Sequence, residues 1–136
     1  MWFEFIHHLT LHFPIVLSMA LAATGLYALR TESEAFIPVI RWAGHATLAL
    51  TTVAVLSGLL AGGFTGGEEL LQHHRYLGVL AFVVIALAAL SYDYGVRHEI
   101  SDFRSYGICL WWVASFAVIG AGHWGGLSEH FEVIPW

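Results

Sequence analysis

Lysine is absent from this chain of 136 residues, and charged residues make up only 11% of it. A soluble domain usually carries about 25% charged residues, whereas hydrophobic residues reach 58% here. The composition excludes an ordinary soluble domain and predicts an integral membrane protein of one domain. The net charge is −5, and all five residues counted as lysine or arginine are arginines. An acidic balance of this kind argues against nucleic-acid binding.

Cysteine is nearly absent as well. The single Cys109 cannot form an internal disulfide, and its surroundings contain no zinc or c-type haem motif. The N-terminus lacks the basic region of a signal peptide, and His7, His8 and His12 interrupt its start. We therefore expect the first apolar segment to be retained as a membrane helix.

Four apolar segments are each long enough to cross a bilayer, which takes about 20 helical residues. They cover residues 9–29, 42–64, 74–94 and 103–124. Short polar connections separate them, so consecutive helices should run antiparallel as neighbours. The sequence thus predicts an all-α transmembrane four-helix antiparallel bundle that forms one domain over residues 1–136.

The arginines predict the orientation of this bundle. We call side A the end that holds both termini and the second connection, and side B the end that holds the first and third connections. Arg30 and Arg41 flank the first connection, Arg97 and Arg104 lie in the third, and only Arg75 lies on side A. Because cytoplasmic loops carry an excess of arginine and lysine, side B is predicted to be cytoplasmic. Both termini would then be periplasmic, in a multi-pass protein of the bacterial inner membrane.

Small residues indicate which faces of the second and third helices pack inward, since they let membrane helices approach closely. At three- and four-residue spacing, the second helix has Gly44, Thr47, Thr51, Ala54 and Gly58, and the third has His74, Gly78, Ala81, Ile85 and Ala88. His73 instead begins a stripe of large apolar residues. The pattern predicts that His74, rather than His73, points into the bundle.

Histidines from three helices reach a similar depth near side A: His12, His74 and His123. An ionisable residue at such a depth is energetically costly and suggests a function, and imidazole is a common ligand of haem iron. We predict that two of these three histidines bind the iron of a haem b, with Arg75 pairing with a propionate. The alternative is that they are interfacial residues that bond to water and backbone.

Two further metal sites remain open. His45, near side B, is a candidate ligand of a second haem, for which the sequence offers only His98 as a partner on that side. Copper or zinc could instead bind the side A histidines together with Glu68 or Glu69. One haem, with a second as the alternative, is the main expectation.

Three segments resemble a family of small bacterial four-helix membrane proteins known as a domain of unknown function. Residues 7–15 (HHLTLHFPI) are similar to its opening pattern HPxxVHFPI, with His8 in place of proline. Residues 74–78 (HRYLG) match HRWLG with Tyr76 in place of tryptophan, and residues 122–126 (GHWGG) match GHxGG. Because that domain is sometimes joined to, or encoded beside, c-type cytochromes, the resemblance implies a membrane module of respiratory electron transfer.

These observations favour a membrane-embedded, b-type haem-binding electron-transfer subunit of a larger respiratory or redox complex. Such a subunit would be non-catalytic itself and would link quinone in the membrane to a periplasmic c-type cytochrome. A cofactor-free structural anchor for other subunits is one alternative. A quinol-oxidising subunit, in which Glu68, Glu69 or His7 accepts protons, is the other.

Overall fold

Four long helices make up the computed structural model, which describes residues 2–62 and 69–131, with side chains described for 2–61, 69 and 71–127. The helices are α1 (Trp2–Thr31), α2 (Ile37–Gly62), α3 (Glu69–Arg97) and α4 (Ser101–Phe131), and a short 3₁₀ turn, Glu34–Phe36, leads into α2. All four are long and apolar enough to cross a membrane. This confirms the prediction of a helical, membrane-compatible four-helix bundle. The helices extend beyond the predicted apolar segments, and the end predicted at residue 64 lies outside the described residues.

The helices pack in a ring. The most extensive contact is between α3 and α4, followed by that between α1 and α2. Contacts of α1 with α4 and of α2 with α3 close the ring. Helices α1 and α3 therefore occupy opposite corners. The start of α1 meets the end of α2 through His7 and Ala54, and the start of α3 meets the end of α4 through His74 and Ala121. All four of these helix termini therefore lie at side A.

The small-residue stripes line the interior, as predicted. Thr47, Thr51 and Ala54 of α2 are buried, as are Ala81, Ile85 and Ala88 of α3. The buried hydroxyls bond to carbonyls of their own helix, such as that of Thr47 to Ala43 at 2.8 Å, so no partner from water is needed. Large apolar side chains lie on the outside, with Phe116 70% exposed, as expected for a surface that faces lipid.

Side chains fill the interior near side B. Trp111 of α4 is fully buried, and its ring lies 3.3 Å from the place where a Cβ on Gly44 of α2 would stand. Ile40 and Tyr92 are also buried at this level. The glycine of α2 therefore makes room for the indole of α4, and the two residues together close this half of the bundle.

The ends of α1 and α3 share an unusual stop signal. Glu32 lies one residue beyond α1, and Glu99 lies two residues beyond α3. Both have positive φ angles, of 50° and 58° respectively. The next amide in each case bonds back into its helix, from Ser33 to the carbonyl of Ala28 at 3.1 Å and from Ile100 to that of Gly95 at 2.9 Å. A left-handed residue at this point ends a helix and satisfies its last carbonyls.

These paired features recur at one interval of 67 residues, which reveals an internal repeat. The ring contact of Tyr27 with Phe36, at 5.5 Å, recurs as Tyr94 with Phe103, at 5.0 Å. The buried residues of α1 are Pro14, Ser18, Leu21, Ala22 and Gly25. The residues 67 positions later are Ala81, Ile85, Ala88, Ala89 and Tyr92, and all of them are buried. Helices α1 and α2 form a first unit, and α3 and α4 form a second unit in which equivalent residues make the contacts named above.

Candidate functional site

Two histidines occupy equivalent positions in the two units. The Nδ1 atom of His7 lies 2.7 Å from the carbonyl oxygen of Ala54 on α2, and that of His74 lies 2.7 Å from the carbonyl oxygen of Ala121 on α4. A carbonyl oxygen can only accept a hydrogen bond, so each Nδ1 must carry the proton and donate it. In a neutral imidazole the lone pair then resides on Nε2. Both rings are therefore held in the tautomer that can bind a metal through Nε2.

A glycine lies beneath each of the two rings. A Cβ on Gly58 would stand 2.8 Å from His7 Nδ1, and a Cβ on Gly125 would stand 2.8 Å from His74 Nδ1. Real Cβ atoms do not approach other heavy atoms this closely, since carbon contacts are favourable only from about 3.5 Å. Each unit thus supplies a histidine from its first helix, and a carbonyl and a glycine from its second helix that hold the ring.

The two imidazoles face each other across the bundle from opposite corners. Their ring centroids are 5.8 Å apart, and the ring planes are nearly perpendicular at 85°. Both rings line a cavity of about 540 Å³ at side A, within the usual range of ligand pockets of about 300–1,000 Å³. Glycine contributes much of the wall, from Gly58, Gly78, Gly122, Gly125 and Gly126.

Among the residues that the structure describes, the ionisable side chains of the cavity wall come from α1 and α3. In α1 they are His7 and the series Glu4, His8 and His12, whose four-residue spacing places the series on one face of the helix. In α3 they are His74 and Arg75. The positions in α3 that match Glu4, His8 and His12 hold Leu71, Arg75 and Val79. The two walls therefore share the central histidine and differ in the charges around it.

The structure brings together some of the sequence-predicted site residues. His74, Arg75 and His12 line the cavity, and His12 is also exposed on the outer surface. His123 is exposed and lies outside the cavity, with its ring 6.1 Å from that of Trp124. His73 is exposed and stacks on Trp124 at 5.2 Å, so the prediction that His74 rather than His73 points inward is confirmed.

His7 lines the cavity and contacts the ring of His74, but the sequence reasoning names it only as a proton acceptor and not as a candidate ligand. Two signals could have identified it: it matches the first histidine of the motif in residues 7–15, and it precedes His74 by the repeat interval. The repeat aligns His7, and not His12, with His74.

His45 lies in a different environment, at side B. Its Nε2–H donates to Oδ1 of Asp93 at 3.2 Å, and its ring lies 6.3 Å from that of Trp42. The ring of His98 instead packs at 4.3 Å against Tyr94. His45 thus has a carboxylate partner on α3 rather than the histidine partner considered from the sequence.

Among the described residues, no group of three or more histidine, cysteine or acidic side chains is arranged to hold a metal ion. Structural zinc normally takes four such ligands and catalytic zinc three. Glu69 is exposed, and Glu68 lies outside the described residues. The two cavity imidazoles whose rings contact each other are those of His7 and His74. No protein-family model, curated protein or solved structure matches the chain.

Proposed function

We propose that this protein is a membrane-embedded electron-transfer subunit that binds one haem b between His7 and His74. The observation that carries the proposal is the pair of Nδ1–H donors held by the carbonyls of Ala54 and Ala121. In metal-binding histidines, the N–H of the second ring nitrogen usually donates a hydrogen bond in this way. The bond fixes the orientation of the ring and increases the basicity of the imidazole. Haem supplies an iron that accepts and releases one electron.

The spacing of the two rings is close to the spacing that a single metal between them would need. A bond from metal to imidazole nitrogen is about 2.0–2.1 Å, and the nitrogen lies about 1.1 Å from the ring centre, so two imidazoles on opposite sides of one metal would have centroids about 6.2–6.4 Å apart. The centroids of His7 and His74 are 5.8 Å apart, so the rings would have to separate by about half an ångström. The glycines of α2 and α4 leave room in the cavity wall for a flat ligand, and Arg75 lies where a guanidinium could pair with a propionate.

A single haem is favoured over two. At side B the interior is occupied by Trp111, and His45 bonds to Asp93. The position equivalent to Gly44 in the second unit is Trp111, so the repeat provides facing histidines at side A and a bulky indole at side B. The second haem considered from the sequence would require both of these features to change.

The orientation is proposed from the arginines, and the partners are proposed from that orientation. Arg30, Arg41, Arg97 and Arg104 favour a cytoplasmic side B, so that the antiparallel bundle would have both termini in the periplasm, in the bacterial inner membrane. The haem would then lie near the periplasmic surface, within reach of a c-type cytochrome subunit. Quinone in the membrane would be the electron donor or acceptor on the other side of the relay.

Spectroscopy of single-histidine variants tests this proposal. Purified protein should show a reducible Soret band and an alpha band, with a haem-to-protein ratio near one in a pyridine haemochrome assay. His7→Ala and His74→Ala should each abolish the bis-imidazole spectrum. His73→Ala and His123→Ala are matched controls, because both histidines are exposed near the same end of the bundle, and their spectra should remain unchanged.

Other outcomes would support the alternatives. A protein without haem, in a preparation where haem is supplied, would favour the cofactor-free anchor. Bound copper or zinc that is lost in His7→Ala would favour a metal-ion site on the same two imidazoles. Loss of haem in His123→Ala, with His7→Ala unchanged, would overturn the assignment of ligands.

A quinol-oxidising subunit is the second candidate, and the position of His12 favours it. This histidine lines the cavity and is also exposed on the surface that faces lipid. A hydroquinone that approaches from the membrane would meet a proton acceptor there. Reduction of the haem by a quinol analogue, slowed in His12→Val, would support this role, since Val79 occupies the equivalent position of the second unit.

A further inference from the structure

A cluster of charged side chains joins α2 to α3 at side B. Asp93 accepts hydrogen bonds from Nε of Arg41 at 2.5 Å, from Nε of Arg97 at 2.6 Å and from Nε2 of His45 at 3.2 Å. Asp93 is only 8% exposed. It lies 19 residues after His74, or about 28 Å along the helix, so the cluster and the cavity lie at opposite faces of the bilayer.

The equivalent contact of the other unit is made without such a cluster. The positions that correspond to Asp93, Arg41 and His45 in the other unit hold Leu26, Ile108 and Trp112. The contact between α1 and α4 corresponds to the contact between α2 and α3. It is therefore made without equivalents of the Asp93 carboxylate and of the Arg41 and His45 side chains. Of the four residues in the cluster, only Arg97 has the same residue at the equivalent position of the first unit, which is Arg30.

The cluster has an excess of positive charge. With His45 neutral, two guanidinium groups and one carboxylate leave a net charge of +1. Each guanidinium has five N–H donors, and among the described residues Asp93 is the partner that Arg41 and Arg97 share. Their side chains remain 30% and 61% exposed, so donors stay available for an anion at the surface.

The position of the cluster matches the headgroup layer. α3 ends at Arg97, and Trp42, which contacts His45, is 70% exposed on the outer surface. Exposed tryptophans are typical of the level at which the lipid headgroups lie. Basic sites between transmembrane helices on the cytoplasmic side bind anionic headgroups, and paired guanidinium groups match phosphate oxygens well.

We propose that Arg41 and Arg97, held together by Asp93, bind a phosphate group at side B. The headgroup of an anionic phospholipid and free phosphate share this chemistry. Leu90, three residues before Asp93 and so a neighbour on the same face of α3, is 55% exposed and gives the acyl chains of a lipid an apolar surface to cover. This inference is independent of the haem site and involves different helices, α2 and α3, at the other end of the bundle.

Native mass spectrometry of the full-length protein in detergent tests the proposal. Phosphatidylglycerol should bind at least about tenfold more tightly than phosphatidylcholine, and Arg97→Gln should weaken its binding about fivefold to tenfold. Arg30→Gln is the matched control, because it removes the same charge from the equivalent position of the first unit. It should change the affinity less than about twofold.

A second set of measurements separates the possible outcomes. Inorganic phosphate is added at millimolar concentration to the wild type and to Arg97→Gln. If it displaces phosphatidylglycerol from the wild type but has no effect on Arg97→Gln, phosphate itself is the ligand. If it does not displace phosphatidylglycerol from the wild type, the lipid is the ligand. Arg97→Lys keeps the charge and the fold and should recover part of the affinity. Equal weakening by Arg97→Gln and Arg30→Gln, or equal binding of both lipids, would overturn the proposal.

Discussion

Replacement of Gly125 by alanine should weaken haem binding without weakening the fold. The added Cβ would stand 2.8 Å from Nδ1 and 3.0 Å from Cε1 of His74. Favourable contacts begin at about 3.5 Å, so the ring must move by about half an ångström or more. Nδ1 is the ring atom nearest to the new Cβ. Its hydrogen bond to the carbonyl of Ala121, now 2.7 Å long, would therefore be lost or bent when the ring moves.

The expected size of the effect follows from the role of that hydrogen bond. Loss of a partner that orients a metal-binding histidine typically reduces affinity about 10-fold to 100-fold, which corresponds to about 1.4–2.7 kcal/mol. Alanine in a helix is up to about 1 kcal/mol more favourable than glycine. The variant should therefore unfold at an equal or higher temperature in its haem-free form, whereas its haem Kd rises.

Titration of haem into the haem-free protein in detergent, followed at the Soret band, measures this Kd. Gly120→Ala is the control on the same helix: its Cβ would lie 3.5 Å from Leu77, an ordinary contact, and Gly120 does not line the cavity. Gly58→Ala should repeat the effect through His7, whose Nδ1 would be 2.8 Å from the new Cβ. Equal Kd values for Gly125→Ala and Gly120→Ala would refute the reasoning.

Three further predictions concern stability and orientation. Gly107→Ala should destabilise the fold by about 1–3 kcal/mol, because its Cβ would lie 2.9 Å from the backbone nitrogen of Tyr92 and 3.0 Å from the backbone oxygen of Ala88, which cannot move aside as a histidine ring can; an unchanged midpoint of unfolding would contradict this. Asp93→Leu should cost about 1–3 kcal/mol, less than a fully buried pair because its arginine partners are partly exposed; a stability equal to wild type would show that the ion pairs are not needed. In a Cys109→Ala background, an impermeant thiol reagent on intact cells should label Trp2→Cys and not Ser33→Cys, and the reverse pattern would invert the orientation.

Much of the fold could be predicted from the sequence. Apolar length and the lack of charge indicated four membrane helices, and the small residues around Thr47 and Ala81 identified the faces that are buried. The helix ends were less predictable, because the polar residues beyond each apolar segment continue the helix. Glu32 and Glu99 end α1 and α3 in a left-handed conformation that glycine usually adopts, and composition gives no signal for that.

The candidate site was only partly predictable. His74 could be assigned to the interior because it begins a stripe of small residues, but its partner could not be chosen by depth alone. Depth favoured His12 and His123, whereas the angular position of a side chain around its helix decides whether it meets the ring opposite. Asp93 was missed as the partner of His45, because a pairing between two helices depends on packing that no local pattern shows.

The internal repeat accounts for the position of the cavity at side A. The interval of 67 residues gives each unit a histidine and a glycine at equivalent positions, His7 with Gly58 and His74 with Gly125. At side A the two histidine rings contact each other edge to face, with centroids 5.8 Å apart. At side B the units differ, because Gly44 in one corresponds to Trp111 in the other, and the large ring fills the interior. The proposed haem site takes one histidine from each unit, and it therefore lies at the level where both units have the same residues, that of His7 and His74.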